Sequence, residues 1–380
     1  MLNSISYGKQ YIEEDDISLV LKALKSDAIT LGAFIPKFEE ELCKFTGSKY
    51  AVAVTSGTAA LHIAYKALGL SNGDEIISTP NTFAATTNAA LYLGAKPKFV
   101  DINIDDFLIN EDLIESSISN KTKIITPVHY AGLPTNIVKI HDIAKNHNLK
   151  VVEDACHAIG SLFNHSKTGS CDYSDVTVFS FHPVKHITTG EGGAILTNNP
   201  DIYKSAKLLR SHGIERENFI NKPDSPTYHE MQILGYNYRM TDIQAALGIS
   251  QISKLNNFIA RRREIAEIYT HELSGIESIF FQKNYDNRFN SYHLFPILLS
   301  NQETRDKLFH KLRENNIFTQ IHYMPVTKHP YYEQLGYSYL DTPNAYEFYT
   351  RELSLPMYPK LTNSELEKVI SVIKETLLNS

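Results

Sequence analysis

The first half of the chain alternates short runs of β-branched and aromatic residues with longer segments whose apolar residues recur at helical spacing, as in residues 59–70 and 137–147. This alternation is typical of parallel βαβ units. It predicts an α/β fold with one large, doubly wound, mostly parallel seven-stranded sheet that helices cover on both faces. The predicted strands are residues 50–54, 75–78, 98–102, 123–128, 151–154, 176–181 and 194–197.

The pattern changes after Met240, where a long amphipathic segment begins at residue 241 and continues to residue 273. Its basic run, Arg261 to Arg263, is interpreted as a solvated helix face rather than an anion site. The elements beyond it predict a smaller α/β domain, so we assign residues 1–250 to a large domain and residues 251–380 to a small C-terminal domain. Those elements are strands at residues 293–299 and 319–323 and helices at residues 303–315 and 363–378.

Composition narrows the classes of function. Hydrophobic residues make up 42% and charged residues 21% of the 380 residues, which is typical of a globular protein rather than a disordered one. The net charge of -6 shows no basic excess, so nucleic acid is not expected as a partner. No stretch reaches the roughly 18 apolar residues of a membrane span, and no secretory leader opens the chain. We therefore expect a soluble, cytoplasmic protein without a membrane partner.

The cysteines and histidines do not point to a metal. Cys43, Cys156 and Cys171 are an odd number at unrelated spacings, which fits neither a disulfide framework nor a paired cysteine site. No pair of the 15 histidines has a convincing zinc-ligand context. No metal is expected, and a reducing compartment is the simplest location.

Polar residues follow several predicted strands, which matters because ligands of open α/β sheets bind at the carboxyl ends of the strands. Ser56, Gly57 and Thr58 lie between a strand and a helix, where free N–H groups favour a phosphate, although Ser56 or Thr58 could simply cap the helix. Phe83 follows the next strand and could stack on a flat ring or fill the core.

Two further candidates complete the set. Asp154 ends a buried strand, so its carboxylate calls for a cationic partner unless it caps a helix. Lys185 follows another strand, where an isolated lysine is normally solvated. A phosphate turn, a stacking ring, a carboxylate and a lysine are together what pyridoxal phosphate needs. The carboxylate would keep the pyridine nitrogen protonated, and the lysine would form the Schiff base and then carry the Cα proton.

Motifs along essentially the whole chain are similar to those of the nucleotide-sugar aminotransferases of the DegT/DnrJ/StrS group, within the fold-type I aspartate aminotransferase superfamily. The motifs are residues 56–61, 153–160, Lys185 with its glycine-rich tail, 210–213 and 235–240. This resemblance implies a pyridoxal-phosphate-dependent transaminase that works as a homodimer with shared active sites. It implies the following roles: Lys185 forms the Schiff base, Asp154 pairs with the pyridine nitrogen, Phe83 packs on the ring, His157 lies near the cofactor, Gly57, Thr58 and Ser180 hold the phosphate beside Ser56, and Asn237 reaches that phosphate from the second subunit.

Within that group, residues 180–189, 320–323 and 352–356 are most similar to the transaminases of pseudaminic acid synthesis. The resemblance implies amination of a nucleotide-linked, UDP-type 4-keto-6-deoxy sugar with glutamate as the amino donor. His322 and Tyr323 could instead face the core between the domains. The expected substrate-binding residues are Tyr7, Asp27, Ala28, Ile29, Thr30, Gln320, Ile321, His322 and Tyr323.

Two alternatives stay open. Another enzyme of the same family, a 3-aminotransferase or a dehydratase, would use the same cofactor. The sugar 3-dehydratases that resemble this group carry histidine where this chain has Lys185, which favours transamination. A non-catalytic sensor with the same fold is the other alternative, but the two predicted domains leave no room for an added DNA-binding module.

Overall fold

A computed structural model describes residues 4–378 of the chain. The strands are β1 (Ile5–Ser6), β2 (Tyr50–Val54), β3 (Glu75–Ser78), β4 (Lys96–Phe99), β5 (Thr122–Ile125), β6 (Lys150–Asp154), β7 (Leu162–Phe163), β8 (Ser166–Lys167), β9 (Val176–Ser180), β10 (Gly193–Thr197), β11 (Ile214–Glu215), β12 (Glu230–Met231), β13 (Ile279–Phe281), β14 (Arg288–Phe289), β15 (Phe295–Leu299), β16 (Ile317–Phe318) and β17 (Glu352–Leu355). The α-helices are α1 (Glu14–Leu24), α2 (Phe34–Thr46), α3 (Gly57–Ala67), α4 (Ala85–Leu91), α5 (Ile137–Asn146), α6 (Pro200–Arg210), α7 (Asp242–Leu273), α8 (Gln302–Glu314), α9 (Pro330–Gln334), α10 (Pro343–Arg351) and α11 (Asn363–Leu378).

The central sheet has seven strands in the order β2-β10-β9-β6-β5-β3-β4. The run from β9 to β4 is parallel, whereas β10 is antiparallel to both β2 and β9. The predicted α/β fold with a mostly parallel seven-stranded sheet is therefore confirmed. Since β2, β3, β6 and β9 run in the same direction, the residues that follow them lie at one edge of the sheet.

One strand is displaced from its predicted position. Residues 98–102 are predicted as a strand, but β4 covers Lys96–Phe99. As the edge strand it has one neighbour in the sheet, β3, with which it pairs from Glu75 opposite Lys96 to Ser78 opposite Phe99. The pairing with β3 sets where β4 begins and ends, and this long-range constraint leaves no local trace in the sequence.

Helices cover both faces of the sheet, as the alternation of side chains along β2 illustrates. Val52 and Val54 belong to the apolar cluster that includes residues of α3 and α6. Ala51 and Ala53 belong to the cluster on the other face, which includes residues of α2 and α7. Successive side chains of a strand point to opposite faces, so both sets of side chains along β2 are apolar.

Helix α7 connects the sheet to the C-terminal part of the chain. Thr241 accepts the Gln244 N–H at 3.3 Å, and the Gln244 side chain accepts the Thr241 N–H at 2.9 Å. This capping box confirms the long helix predicted from residue 241. The helix contributes Leu255 to a cluster on the sheet and Tyr269 to the C-terminal cluster. The domain boundary after residue 250 would fall inside it and stays a prediction.

The C-terminal part is built on the antiparallel sheet β13-β15-β17. Its core gathers apolar residues from α7, α8 and α11, such as Ile265, Leu308 and Val369. The predicted strand at residues 319–323 is wrong, because β16 ends at Phe318 and only Gln320 continues with a bridge to Ser354. The N–H of His322 donates to the Glu352 carboxylate at 2.8 Å, and this side-chain bond replaces the backbone pairing of a strand.

The interpretation of the basic run in α7 as a solvated face is wrong for Arg262, which is fully buried. Its Nη1 donates to the carbonyls of Tyr292 at 3.3 Å, His293 at 3.1 Å and Met357 at 2.9 Å. Arg262 lies on the same face of α7 as Phe258, a helical turn away, so the helix turns its side chain inward. Burial lowers the pKa of the guanidinium to about 9.

Residues 4–378 lack two features, a membrane-spanning helix and a metal-binding cluster. No helix in this range combines the length and hydropathy needed to cross a bilayer. The same range contains no cluster of three or more histidine, cysteine, aspartate or glutamate side chains arranged to hold a metal ion. The cysteines Cys43, Cys156 and Cys171 are free.

Candidate active site

The turn between β2 and α3 presents backbone donors beside Ser180. Ser56 is the N-cap of α3 and accepts the Ala59 N–H at 3.1 Å, so the capping alternative is correct for Ser56. Among the described residues, no acceptor takes the N–H groups of Gly57 and Thr58. A Cβ added to Gly57 would come within 2.9 Å of the Ser180 Cβ. The hydroxyl-bearing Ser180 thus lies against the helix start, where the helix dipole favours an anion.

Asp154, the last residue of β6, places a buried carboxylate at the same edge of the sheet; its side chain is 5% exposed. Its Oδ2 accepts the Thr86 hydroxyl at 2.6 Å and its Oδ1 accepts the Cys156 N–H at 3.2 Å. No helix follows β6 for it to cap, and within residues 4–378 it has no ion-pair partner within 4.0 Å. The carboxylate is therefore free to pair with a cation that the chain itself does not supply.

Phe83 does not fill the core, since it is 63% exposed. Its carbonyl accepts the N–H of Thr86 at 3.2 Å, and the Thr86 hydroxyl in turn contacts Asp154. Its ring lies 6.1 Å from the ring of Tyr323. An exposed aromatic ring therefore lies near Tyr323, in the turn whose Thr86 bonds the buried carboxylate, and it can cover a flat ligand.

Lys185 follows β9 in a turn that its N–H closes by donating to the His182 carbonyl at 2.9 Å. The Nζ atom lies 3.5 Å from Nε2 of His293. Burial lowers the pKa of this lysine, while Cys156 and Asp154 act in the opposite direction. A lysine whose ammonium form is disfavoured has a larger fraction of the neutral amine, the form that attacks a carbonyl.

His157 connects this lysine environment to Tyr323. The ring of His157 lies 4.4 Å from that of His293, and its Nε2 lies 3.0 Å from the Tyr323 hydroxyl. Its Nδ1 accepts the Ala131 N–H at 3.4 Å, which makes Nε2 the protonated nitrogen. Burial, followed by the charge of Lys185, lowers the pKa of His157 far below the ordinary value, so the ring is neutral.

Three of the expected substrate residues meet beside His157. The ring of Tyr7 lies 5.1 Å from that of His322, and Tyr323 contacts His157 directly. His322 is buried, its Nδ1 lies 2.9 Å from the Ser354 hydroxyl, and burial lowers its pKa to about 3. Gln320 is exposed and Ile321 is half-buried on the same segment.

The other expected substrate segment lies against a different element. Asp27, Ala28, Ile29 and Thr30 are exposed. The Ile29 carbonyl accepts the N–H of Asp242 at the start of α7 at 2.9 Å. No contact within the described residues joins this segment to His322 or Tyr323, so its binding role stays a prediction.

Asn237 is exposed on a segment that runs beside the end of β2. The neighbouring Tyr238 carbonyl accepts the Thr55 N–H at 3.0 Å, and Arg239 forms a bridge with Val54. Within residues 4–378, the Asn237 side chain makes no hydrogen bond to Gly57, Thr58 or Ser180. The expected contact of Asn237 with the cofactor phosphate of a second subunit stays a prediction.

Sequence reasoning missed Thr86, His186 and His293. Thr86 is separated from Asp154 by 68 residues, and His293 from Lys185 by 108, so no local motif connects either pair. The Nε2 of His186 donates to the Ser291 carbonyl at 3.0 Å. His186 stands next to Lys185 in the sequence, which is the only local signal that could have drawn attention to it.

The residues fit pyridoxal phosphate. The free donors of Gly57 and Thr58 with Ser180 would take the phosphate, the unpaired Asp154 carboxylate the pyridine nitrogen, and Phe83 the ring face. Lys185 would form the covalent bond to the aldehyde carbon of the cofactor. Bound there, the group would supply an electron sink for the bonds broken at the substrate carbon.

Comparisons with known proteins agree with this site. Residues 10–374 match the DegT/DnrJ/EryC1/StrS aminotransferase family. The chain is 41% identical to an uncharacterized protein of Methanocaldococcus jannaschii, over 96% of this chain and 95% of that protein. It is 38% identical to a UDP-4-amino-4,6-dideoxy-N-acetyl-beta-L-altrosamine transaminase of Campylobacter jejuni, over 99% of this chain and 97% of that protein.

Solved structures of related proteins share the whole fold. Helicobacter pylori PseC, described as an aminotransferase involved in the biosynthesis of pseudoaminic acid, has a TM-score of 0.92 at 32% identity over all of both chains. The PLP form of a sugar aminotransferase from Streptococcus pneumoniae has a TM-score of 0.92 at 29% identity over 99% of both chains. The present chain is an aminotransferase with pyridoxal phosphate as its cofactor, and it belongs to the DegT/DnrJ/EryC1/StrS aminotransferase family.

Proposed function

We propose that this enzyme transfers the amino group of glutamate to the C4 keto carbon of a UDP-linked 4-keto-6-deoxy sugar in the synthesis of pseudaminic acid. The transaminase relative from Campylobacter jejuni and the fold neighbour PseC support this choice of substrate. The observation that carries the proposal is the chain of contacts from Lys185 through His293 and His157 to Tyr323. These contacts join the amine of Lys185 to the segment around Tyr323, whose side chains can hydrogen-bond a sugar.

Lys185 carries the proton in both half-reactions. With the donor bound, its neutral amine takes the proton from the donor Cα. With the sugar bound, the same Nζ atom delivers a proton to C4, the carbon that receives the amino group. Burial lowers the pKa of Lys185, which makes the neutral amine easier to reach than in a solvated lysine.

Asp154 holds the positive charge on the pyridine nitrogen. The Thr86 hydroxyl and the Cys156 N–H each bond one of its oxygens, so the carboxylate is fixed in orientation before the cofactor binds. A fixed charge in a buried site needs no reorganisation during the reaction.

His322 and Tyr323 serve the sugar. The Nδ1 of His322 is hydrogen-bonded to the Ser354 hydroxyl, which leaves Nε2 as the ring nitrogen for a sugar hydroxyl. A pKa of about 3 keeps the His322 ring uncharged. Tyr7, whose ring lies beside that of His322, belongs to the same sugar-binding group. Residues 27–30, Gln320 and Ile321 provide the remaining contacts with the sugar nucleotide.

The active site is shared between two subunits. Asn237 lies on the same exposed segment as Leu234, which is 77% exposed, while Met231 and Ile220 on the preceding stretch are also exposed. Exposed apolar side chains grouped around a polar residue are typical of a contact surface. We propose that a second copy covers them and receives Asn237 at its cofactor phosphate. The three free cysteines agree with a reducing cytoplasm as the site of action.

The test is a substrate panel. Purified enzyme with glutamate is offered UDP- and dTDP-linked 4-keto and 3-keto sugars, and mass spectrometry identifies which sugar gains an amino group. We expect amination of the UDP-linked 4-keto-6-deoxy sugar. Amination confined to 3-keto sugars, or water loss without amination, would instead support the 3-aminotransferase or the dehydratase alternative.

A further inference from the structure

The side chain of His293 reaches Lys185 from the C-terminal part of the chain. His293 stands two residues before β15, yet its Nε2 lies 3.5 Å from the Lys185 Nζ. The imidazole is 3% exposed and lies between two other histidine rings, 4.4 Å from His157 and 5.6 Å from His186. It is therefore a buried polar group in contact with the atom that carries the proton.

The backbone around His293 is fixed from several sides. The buried Arg262 guanidinium donates to its carbonyl at 3.1 Å. The next residue, Leu294, donates its N–H to the Ala131 carbonyl at 3.3 Å. Two residues earlier, the Ser291 carbonyl accepts from His186 at 3.0 Å. Since His186 is the neighbour of Lys185 in the sequence, the same contact fixes the histidine segment and the lysine turn to each other.

The protonation state of His293 follows from its surroundings. Burial, followed by the charge of Lys185, lowers its pKa far below the ordinary value, so the imidazole is neutral and has one acceptor nitrogen. Its Nδ1 is buried and has no partner among the described residues. The titratable and charged groups that act on Lys185 or His293 are Asp154, Cys156, His157, His186, Arg262 and His322.

We propose that His293 is a further catalytic residue, whose Nε2 accepts a hydrogen bond from the Lys185 amine. This inference rests on the role proposed above for Lys185. An acceptor serves the lysine in both of its states, since a neutral amine and an ammonium can each donate. The bond aims the neutral amine, and it becomes stronger when the amine gains a proton.

The proton balance of the step is simple. The C–H bond at the donor Cα breaks, the proton forms a new N–H bond on Lys185, and the electron pair passes to the cofactor. His293 gains and loses no proton, and its bond to Lys185 becomes charge-assisted. A site without this acceptor would bury an ammonium with one donor unpaired, so the ammonium would be disfavoured and the lysine would be a weaker base.

The test compares His293→Gln, which keeps an acceptor of similar size, with His293→Leu, which does not. Glutamate converts the holoenzyme to its amino form, in which Lys185 is free, and acetic anhydride then labels the lysine over a range of pH. Peptide mapping gives the labelling midpoint of Lys185. We expect His293→Leu to lower this midpoint by about one pH unit, a tenfold change in the amine–ammonium equilibrium. His293→Gln should stay within about 0.3 units of the wild type.

Kinetics provide the second measurement. The glutamate half-reaction, followed by cofactor absorbance, should slow by about ten- to hundredfold in His293→Leu and by less than about threefold in His293→Gln. The isotope effect with α-deuterated glutamate should increase in the leucine variant, because proton transfer becomes slower. If His293→Leu does not fold, His293→Met replaces it as the apolar variant.

Two outcomes would overturn the inference. Equal midpoints in all variants would show that His293 does not act on the Lys185 proton, and equal losses in the glutamine and apolar variants would show a packing role. Borohydride trapping distinguishes these two outcomes, which concern His293 alone, from a failure of the function proposed for Lys185. The cofactor should be fixed to Lys185 in every variant, and if it is found on another lysine, the role of Lys185 itself is wrong.

Discussion

The Thr86 hydroxyl donates to the Asp154 carboxylate at 2.6 Å, across a separation of 68 residues. Thr86 lies at the start of α4, in the turn that also carries the exposed ring of Phe83. Thr86 thus contacts both parts of the site: its hydroxyl bonds the Asp154 carboxylate, and its N–H bonds the backbone carbonyl of Phe83. Loss of the hydroxyl should act on Asp154 and leave the N–H bond to Phe83 in place.

Asp154→Asn should reduce the rate of the glutamate half-reaction by at least about 100-fold, since it removes the charge that keeps the pyridine nitrogen protonated. Cofactor should still bind, because the phosphate contacts are unchanged. Thr86→Val, a matched variant that removes only the hydroxyl, should cause a loss of roughly three- to tenfold. Stopped-flow absorbance measures both. A fully active Asp154→Asn enzyme would mean that another group pairs with the nitrogen.

Borohydride reduction of the yellow holoenzyme should attach the cofactor to Lys185 and to no other lysine. Lys185→Ala should bind cofactor without a covalent bond and show no turnover. Peptide mapping by mass spectrometry identifies the modified residue, and Lys204, on the outer helix α6, is a control position that should stay unmodified. Label on a different lysine would contradict the assignment.

Mixed dimers test the shared site. Lys185→Ala and Asn237→Ala enzymes should each be impaired, but a heterodimer has one site that carries both wild-type groups. Activity should therefore recover after subunit exchange, to about half of the wild-type value per heterodimer if the sites act independently. Two affinity tags confirm that exchange has occurred. No recovery in confirmed heterodimers would show that each chain uses its own Asn237.

His322→Ala and Tyr323→Phe should impair the sugar half-reaction and leave the glutamate half-reaction nearly intact. Each change removes a group that we propose bonds the sugar, and a loss of roughly five- to thirtyfold in kcat/KM is expected. Because the Tyr323 hydroxyl also contacts His157, Tyr323→Phe separates its two roles by whether glutamate turnover changes. Equal damage to both half-reactions would show that these residues shape the site without selecting the sugar.

Glu352 gives a prediction about pH and stability. Burial raises its pKa from 4.5 to about 8, although bonds from Ser354 and His322 act in the opposite direction. The folded protein then retains a proton that the unfolded chain releases above pH 4.5, so this group's contribution to stability decreases as the pH rises from about 4.5 to 8.

The measurement compares wild type with Glu352→Gln by urea unfolding between pH 5 and pH 8. The wild type should lose stability relative to the variant as the pH rises, by at most about 1.4 kcal/mol per pH unit. The difference between the two proteins is the informative quantity, since groups remote from Glu352 contribute equally to both. A constant difference across this range would contradict the proposed titration of Glu352.

The features that sequence could predict are those with a local pattern. Strand β2 is a continuous apolar run with polar residues directly after it, and β6 has two valines followed by Glu153 and Asp154, so the sheet and one edge of the site were predictable. The N-cap role of Ser56 follows from a serine placed directly before a helical pattern, and the start of the long helix follows from Thr241 and Gln244, three residues apart.

The features that sequence could not predict depend on tertiary contacts. Arg262 cannot be distinguished by sequence from the half-buried Arg261 and Arg263, and its burial depends on three carbonyls from two distant segments. His293 could not be distinguished from a core histidine, because its partner Lys185 lies 108 residues earlier. The segment at residues 319–323 has strand-like composition, but the Glu352 side chain occupies the His322 donor.

The position of His293 also limits how such enzymes can be recombined. A chimera that takes its C-terminal half from a relative, in order to change the accepted sugar, would replace the imidazole that contacts Lys185 and the Arg262 that fixes it. Specificity and proton transfer would then change together. Exchanges should therefore retain residues 262 and 290–294 with the sheet, and vary only the surface that faces the sugar.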